Sequence, residues 1–244
     1  MNLSNSQPKV ALITGGNRGV GRETAKVLAG QGIHVILGSR DLAKGERAAA
    51  ELSASGGAVE ALRLDVTQPA DHAAARDHIE RAFGRLDILV NNAGILARGG
   101  DCQSPIEELR RIFETNFFAV VALTQTLLPL IRRSEAGRIV NVTSILGSLA
   151  LHSDPSSRIY HSKLFSYGAS KTALNAFTVH LAYELRDTPI KVNSVDPGWV
   201  KSDMGGPSAP MELSEGGRLV APFATLPADG PTGGYFRLDE KFPW

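Results

Sequence analysis

Tyr167 and Lys171 lie four positions apart in the segment SYGASKTALNAF, a spacing that places both side chains on one face of a helix. A phenol has an ordinary pKa of about 10, so it needs nearby positive charge to exchange protons at neutral pH. The Lys171 ammonium supplies that charge, which predicts an acid/base pair. Tyr and Lys also share a face on ordinary amphipathic helices, so the pair alone leaves both interpretations open.

Two further polar residues accompany this pair. Ser144 ends the apolar run RIVNVTS, where its hydroxyl either polarises a ligand carbonyl at the edge of a sheet or caps the strand end. Asn116 interrupts the apolar segment FETNFFAV, and a polar side chain in an apolar helix needs hydrogen-bond partners. Asn116 therefore marks either a local kink that holds a water beside Lys171 or an ordinary satisfied core asparagine.

A glycine-rich turn, TGGNRGVG at residues 14–21, follows an apolar run and precedes a helical pattern. Such a turn lets backbone N–H groups and the positive end of a helix approach a pyrophosphate, and this requires Gly15, Gly19 and Gly21. The alternative is a tight turn without a ligand, since a glycine pattern alone is weak evidence. The strand and helix around the turn favour dinucleotide binding.

The residues after the second predicted strand indicate which dinucleotide binds. Ser39 and Arg40 stand where NAD-binding folds carry an acidic residue for the ribose hydroxyl. A guanidinium attracts a 2′-phosphate and a small hydroxyl leaves room for it, so NADP is favoured. Arg18 supplies a second cation, unless both arginines are solvated surface residues. Asp65, followed by Val66, either meets the adenine or caps the next helix.

The elements that position these residues alternate between strand-length apolar runs and helical patterns. This alternation predicts an α/β domain whose parallel sheet is covered by helices on both faces. The seven predicted strands are residues 9–14, 34–39, 59–65, 86–94, 138–144, 190–198 and 234–239. The predicted helices are residues 23–29, 42–53, 71–83, 106–133 and 169–185. Residues 205–210 and 228–234 are predicted surface loops.

Composition excludes several other classes. The 244 residues suit one domain, and 26 basic against 25 acidic residues leave a net charge of +1 with no basic run for nucleic acid. Cys102 is the single cysteine, and no His or Cys cluster has metal-ligand spacing. No apolar stretch approaches the length of a membrane span, and residues 1–10 lack an export signal. We expect a cytoplasmic protein without metal, membrane or nucleic-acid partners.

Five motifs stand together in a fixed order: TGGNRGVG, NNAG at residues 91–94, the Asn116 helix, Ser144 before YGASK, and DPGWVKSDM from Asp196. In this arrangement residues 9–236 resemble the short-chain dehydrogenase/reductase family, in its compact single-domain subclass. The closing DGPTGGYFRLDEKFPW is similar to that of carbonyl reductase-like members. The resemblance implies a three-layer αβα Rossmann fold, with a doubly wound seven-stranded parallel sheet, over residues 1–244.

The resemblance also assigns roles to residues. It implies a catalytic tetrad of Asn116, Ser144, Tyr167 and Lys171. Together with the glycine-turn and strand-end patterns, the resemblance also predicts the residues that bind NADP(H). They are Gly15, Asn17, Arg18, Gly19, Val20, Gly21, Ser39, Arg40, Asp65, Val66, Asn92, Ala93, Gly94, Tyr167, Lys171, Pro197, Gly198, Val200 and Ser202. The apolar side chains of Leu146, Trp199 and Met204 either line a substrate pocket or serve core and lid packing.

The implied reaction is reversible reduction of a ketone or aldehyde to an alcohol, with hydride from NADPH and Tyr167 as acid/base. The substrate is then a small molecule, and the protein a monomer or homo-oligomer. One alternative is a 3-oxoacyl thioester reductase, which would need a basic patch for an acidic carrier protein. The other is a non-catalytic NADP(H)-sensing protein, although such proteins typically lose the Tyr or the Lys.

The chain departs from the family pattern between Ser144 and Tyr167, which are 23 positions apart where many members use about a dozen. The excess, HSDPSSRIYHSK, is polar and turn-rich. We expect it either beside the substrate mouth or across a helix face that other members use to form tetramers, which puts tetramer formation in doubt. Within it, Tyr160 and Lys163 have only two residues between them and do not fit the catalytic spacing.

Overall fold

The computed structural model describes residues 8–96 and 101–244. Residues 1–7, in the segment that was predicted to lack an export signal, and residues 97–100 lie outside the described residues. The strands are β1 (Val10–Thr14), β2 (His34–Ser39), β3 (Val59–Arg63), β4 (Ile88–Asn91), β5 (Arg138–Val142), β6 (Lys191–Val195), β7 (Tyr235–Arg237) and β8 (Glu240–Lys241).

The helices are α1 (Gly19–Gly30), α2 (Leu42–Ser53), α3 (Pro69–Phe83), α4 (Ile106–Phe113), α5 (Ala119–Ile131), α6 (Leu149–Ser153), α7 (Phe165–Glu184) and α8 (Leu213–Ala224). A π-helical turn, Glu114–Phe118, joins α4 to α5, and a 3₁₀ turn, Ile145–Gly147, follows β5. By length and composition alone, the helical run Ile106–Ile131 is long and apolar enough to cross a membrane, but here it contributes side chains to the core.

The strands form one sheet in the order β3-β2-β1-β4-β5-β6-β7-β8. The first seven pair in parallel, which confirms the doubly wound seven-stranded arrangement, and β8 adds a two-residue antiparallel edge that the sequence did not predict. The strand order changes direction between β1 and β4, so the chain leaves β1 at the point where such sheets bind ligands. The glycine-rich turn begins there.

Alternate side chains of the buried strands serve two cores. Val10 and Leu12 of β1 join a cluster with residues of α3, α5 and α7 on one face of the sheet. Ala11 and Ile13 join a second cluster with residues of α1, α2 and α8 on the other face. This alternation follows from the two-residue period of a strand and gives the three-layer architecture.

Several helices begin or end at other residues than predicted, and α6 and α8 were not predicted. Helix α7 begins at Phe165, four residues early, so it includes Tyr167. The predicted helix at residues 106–133 is divided by the π-helical turn that contains Asn116. Helix α8 was not predicted because LSEGGRLVAPFA contains two glycines and a proline, residues that disfavour helix interiors. Packing against α1 and the sheet outweighs this low propensity.

A chain of buried polar side chains crosses the middle of the sheet. Asn91 Nδ2 donates to Asn141 Oδ1 (2.9 Å), and Asn141 Nδ2 donates to Thr178 Oγ1 (2.9 Å). Thr178 in turn hydrogen-bonds with Ser194 (2.8 Å). These contacts connect β4, β5, α7 and β6, the elements that carry or adjoin the candidate site, in a region where each buried polar group needs a partner.

The substitution Asn141→Ala removes an acceptor from Asn91 and a donor from Thr178 in this buried chain. Because buried polar groups without partners are costly, we expect the free energy of unfolding to fall by about 1–3 kcal/mol. Urea denaturation of wild type and variant measures the change, with the exposed Ser55→Ala as control. Equal stability of Asn141→Ala and wild type would show that this network contributes nothing.

Candidate active site

Tyr167 and Lys171 lie in the first two turns of α7, with both side chains almost fully buried. Lys171 Nζ lies 5.6 Å from the centroid of the Tyr167 ring and donates to the carbonyl oxygen of Val142 at the end of β5 (2.9 Å). The four-residue spacing therefore brings the phenol and the ammonium together, at the carboxyl edge of the sheet.

Ser144 lies between the end of β5 and the 3₁₀ turn. Its Oγ accepts from the Leu146 backbone N–H (3.3 Å). The Ser144 side chain also lies close enough to the Tyr167 phenol to lower the pKa of that phenol. Ser144 therefore caps the turn after β5, and its polarisation of a ligand carbonyl stays a prediction. A phenol, an ammonium and a hydroxyl converge in one buried region.

Asn116 is fully buried in the π-helical turn. Its Oδ1 accepts from the Ile95 backbone N–H (2.9 Å), while its Nδ2 donates to the Ile95 carbonyl (2.9 Å) and to Ser170 Oγ (3.1 Å). A Cβ added at Gly94 would lie 3.3 Å from Asn116 Oδ1 and 3.6 Å from Lys171 Nζ. The helix is locally distorted at Asn116. The Asn116 side-chain amide, which lies beside Lys171, has hydrogen-bond partners within the protein, as a satisfied core asparagine does.

Burial dominates the electrostatics of the pair. Desolvation lowers the pKa of Lys171 to about 8. Desolvation, with a smaller effect of the Asp196 carboxylate, raises the pKa of Tyr167, and the Ser144 hydrogen bond only partly opposes this rise. The sequence led us to expect that Lys171 lowers the pKa of Tyr167, but the pKa is raised, because an apolar surrounding penalises the phenolate. Tyr167 is accordingly a protonated phenol at neutral pH.

Asp196, at the end of β6, is a buried carboxylate that sequence reasoning did not place in the site. It accepts from Arg237 Nε (2.7 Å) on β7, and the backbone N–H groups of Ile145 and Gly198 lie close enough to oppose a rise of its pKa. Burial nevertheless raises its pKa. The signal was an acidic residue at the end of an apolar strand, but its partner lies 41 positions away and only the sheet brings them together.

The glycine-rich turn forms an open backbone surface at the start of α1. Gly15 and Gly19 have φ of +62° and +61°, a region that favours glycine, and a Cβ added at Gly19 would meet no atom within 4 Å. A Cβ at Gly21 would lie 2.4 Å from Asn92 Nδ2, so Gly21 allows α1 to pack against the end of β4. The turn and the helix start fit a pyrophosphate.

Residues around the end of β2 form a basic region. Arg40 is exposed after β2, while the Ser39 hydroxyl is buried and donates to the Asp41 carbonyl (2.7 Å). Arg18 pairs with Asp203 across the cleft. A nearby open cavity of about 350 Å³ is lined by Asn17, Arg18, Arg22, Lys44, Arg47, Ala48 and Glu51. Lys44 and Arg47 were not predicted, because their proximity to the glycine turn depends on how α2 packs.

Asp65 and Val66, the residues predicted to meet the adenine, follow β3, and local hydrogen bonds hold Asp65. Asp65 Oδ1 accepts from the backbone N–H and the hydroxyl of Thr67 (3.0 and 2.8 Å), so it orders the turn before α3. The alternative that Asp65 caps this helix is wrong, because the N-cap of α3 is Gln68. Although partial burial raises the pKa of Asp65, those bonds and the charges of Arg40 and Arg63 lower it overall. Val66, the next residue, is buried.

The NNAG motif connects two strands. The backbone N–H groups of Asn92 and Ala93 donate to Thr14 Oγ1 (3.0 and 2.9 Å), and Asn92 Nδ2 donates to the Thr14 carbonyl (2.9 Å). The motif therefore ties the end of β4 to the end of β1. It also places Gly94 beside Asn116 and Lys171.

The loop after β6 forms the other side of the cleft. Pro197 is partly exposed, Gly198 has φ of +79°, and Val200 is buried. Ser202 Oγ accepts from the Gly205 backbone N–H (3.0 Å), so it orders the loop itself. Of the predicted substrate residues, Trp199 and Met204 are exposed on this loop, whereas Leu146 is half-buried in the turn after Ser144.

The extra residues between Ser144 and Tyr167 pack against the end of the chain. Arg158 pairs with Glu240 (3.0 Å) and lies over the ring of Phe242. At the other end of this segment Lys163 Nζ donates to the His152 carbonyl (2.6 Å), and His152 Nε2 contacts the Leu146 carbonyl (3.0 Å). The insertion therefore lies beside Leu146 and β8. Three large side chains elsewhere are exposed: Phe118 in the π-helical turn, and Val179 and Tyr183 on α7.

Comparison with known proteins shows that most of the chain is similar to short-chain dehydrogenases and carbonyl reductases. The family model for short chain dehydrogenases matches residues 9–213. The short-chain dehydrogenase anuI of Penicillium roqueforti is 37% identical over 88% of each chain. Carbonyl reductase (NADPH) 1 of Mus musculus is 30% identical over 99% of this chain and all of its own. The NADPH-bound carbonyl reductase from chicken fatty liver has a TM-score of 0.85, with 26% identity over 98% of this chain and 100% of its own.

The lowered pKa of Lys171 makes stability depend on pH. Its pKa is about 8 in the folded protein and 10.5 ordinarily, so between these values the unfolded chain binds more protons and the free energy of unfolding rises with pH. Relative to Lys171→Met, wild type should gain about 2 kcal/mol from about pH 7.5 to about pH 9.5. Urea denaturation of both proteins measures this gain. Parallel stability profiles would contradict the assigned shift.

Proposed function

This chain belongs to the short-chain dehydrogenase/reductase family of oxidoreductases, and we propose that it reversibly reduces a ketone or aldehyde carbonyl to an alcohol with NADPH. The observation that carries the proposal is the convergence of Tyr167, Lys171 and Ser144 at the carboxyl edge of the sheet, beside the glycine-rich turn. We also propose that the protein is cytoplasmic and that its substrate is a small molecule.

The residues present fit NADP(H) as the cofactor. The backbone of Gly15 and Gly19 and the start of α1 would hold the pyrophosphate, where no side chain obstructs it. Arg40 and Lys44 would face the 2′-phosphate, and Arg18 would join them by exchanging its contact with Asp203. Bound NADPH would supply the hydride for the carbonyl carbon.

The chain's own groups would bind the substrate oxygen and move one proton. Ser144 would donate a hydrogen bond to the carbonyl oxygen, which polarises the carbonyl. The Tyr167 hydroxyl would then deliver its proton to that oxygen, and its raised pKa keeps it protonated before the reaction. The ammonium of Lys171, 5.6 Å from the ring, would stabilise the phenolate that remains.

Asn116 would act beside these groups. Its side-chain amide hydrogen-bonds with the Ile95 backbone and with the Ser170 hydroxyl, next to Lys171. We propose that this turn holds one end of a water path through which Tyr167 regains its proton. Leu146, Trp199 and Met204 would form an apolar wall, which favours an aromatic or aliphatic ketone over a charged substrate.

Two alternatives make different predictions. A 3-oxoacyl thioester reductase would turn over thioester substrates faster than simple ketones. An NADP(H)-sensing protein would bind the cofactor without any turnover. Absorbance of the reduced nicotinamide, followed with a panel of ketones, aldehydes and a 3-oxoacyl thioester, separates all three functions. Turnover of a simple ketone or aldehyde supports the proposal.

Tyr167→Phe removes the proposed proton donor and keeps the ring. We expect kcat to fall by a factor of about 10² to 10⁴, because the substrate oxygen loses its acid, while the NADPH dissociation constant stays within about twofold. Steady-state kinetics and NADPH fluorescence titration give the two quantities. Tyr160→Phe, in the YHSK segment with the wrong spacing, is the matched control. Substantial turnover by Tyr167→Phe would refute the role of Tyr167.

Arg40→Asp replaces the proposed phosphate-binding cation with an anion. The variant should bind NADPH about 10- to 100-fold more weakly, because a charge-assisted hydrogen bond is lost and repulsion is added, whereas NADH affinity should change little. Arg81→Asp on α3 makes the same change in net charge away from the cleft. A wild-type protein that prefers NADH would contradict the interpretation of Ser39 and Arg40.

A further inference from the structure

Tyr235, on β7, is fully buried beneath Ser144, and the mechanism above does not use it. Its hydroxyl donates to the Ser144 backbone carbonyl, which also accepts from the Gly147 N–H (2.8 Å). Burial, with smaller effects of Asp196 and Tyr167, raises the pKa of Tyr235, so its hydroxyl stays a donor. The backbone of the proposed catalytic serine is thereby fixed from below.

The ring of Tyr235 is itself held by the last residues of the sequence. Trp244 stacks on it, with centroids 5.5 Å apart and planes at 19°, and Phe242 meets it edge-on at 5.1 Å. The Phe242 backbone N–H donates to the Tyr235 carbonyl (2.8 Å). We call Tyr235, Phe242, Pro243 and Trp244 the aromatic clamp.

The clamp also binds the segment that follows Ser144. Ser148 Oγ donates to the Pro243 carbonyl (2.7 Å), and the Ala150 N–H donates to the Trp244 carbonyl (2.9 Å). Ser148 Oγ accepts from the Leu151 N–H as well, so the same hydroxyl caps α6. The clamp thus contacts residues on both sides of Leu146, a predicted wall of the substrate pocket.

We propose that the aromatic clamp is a positioning device for the reaction: Tyr235 and Trp244 fix the Ser144 backbone and residues 145–153 relative to Tyr167. This inference rests on the proposed function. A serine displaced by about 1 Å would polarise the substrate carbonyl poorly, because hydrogen bonds to a reacting oxygen require close alignment. The glycine-rich turn and Arg40 lie at the other strands and would keep their geometry, so cofactor binding should not depend on the clamp.

The test compares Tyr235→Phe, Trp244→Ala and Trp244→Phe with wild type. We expect Tyr235→Phe and Trp244→Ala to lower kcat about 10- to 100-fold, with NADPH dissociation constants within about twofold of wild type. Hydrogen exchange at residues 145–153 should become faster in both variants. Trp244→Phe, which keeps an aromatic ring against Tyr235, should restore most of kcat, and the exposed Tyr183→Phe is the control.

The outcomes are distinct. If folded Tyr235→Phe and Trp244→Ala keep wild-type kcat and exchange at residues 145–153, the clamp has no positioning role. If Trp244→Ala does not fold, Tyr235→Phe decides, because it removes a single oxygen atom. A loss of kcat that matches only the unfolded fraction also overturns the inference. Wild-type protein without turnover refutes the proposed function instead, and hydrogen exchange still tests the clamp.

Discussion

Burial of the Lys171 ammonium beside a phenol sets the conditions for the rest of the site. An ammonium that loses its water costs free energy unless protein groups replace that water, and here the Val142 carbonyl and the ring of Tyr167 do so. The residual cost is expressed as the lowered pKa of Lys171. The same apolar surrounding raises the pKa of Tyr167, so one constraint moves the two pKa values apart: it favours the neutral form of each group.

The sheet supplies the rigidity that such burial requires. Neighbouring strands end at one edge, and each places a polar group there: Thr14 at the end of β1, Asn92 after β4, Ser144 after β5 and Asp196 after β6. Hydrogen bonds between strands fix these ends, as when the Thr14 hydroxyl accepts from two N–H groups of NNAG. A parallel topology therefore assembles a site from segments far apart in the chain.

Sequence reasoning succeeded where a local pattern sets geometry and failed where geometry depends on packing. The spacing of Tyr167 and Lys171 predicts a shared helix face, and alternating apolar runs predict the seven parallel strands, because both follow from local periodicity. Helix α8 has low intrinsic propensity and forms through contact with α1 and the sheet. The partner of Asp196 could not be found either, since Arg237 reaches it only through strand pairing.

Asp196 acts in the same direction on two buried phenols that have different surroundings. Its negative charge raises the pKa of both Tyr167 and Tyr235, and Arg237 offsets part of that charge. Tyr235 is fully enclosed and gives its proton in a hydrogen bond to the Ser144 carbonyl, so it can only hold the backbone. Tyr167 instead faces the Ser144 hydroxyl and has Lys171 beside it to stabilise a phenolate. In the proposed reaction, the position of the nearest cation and acceptor, rather than residue type, would therefore decide which tyrosine exchanges a proton and which supports the serine.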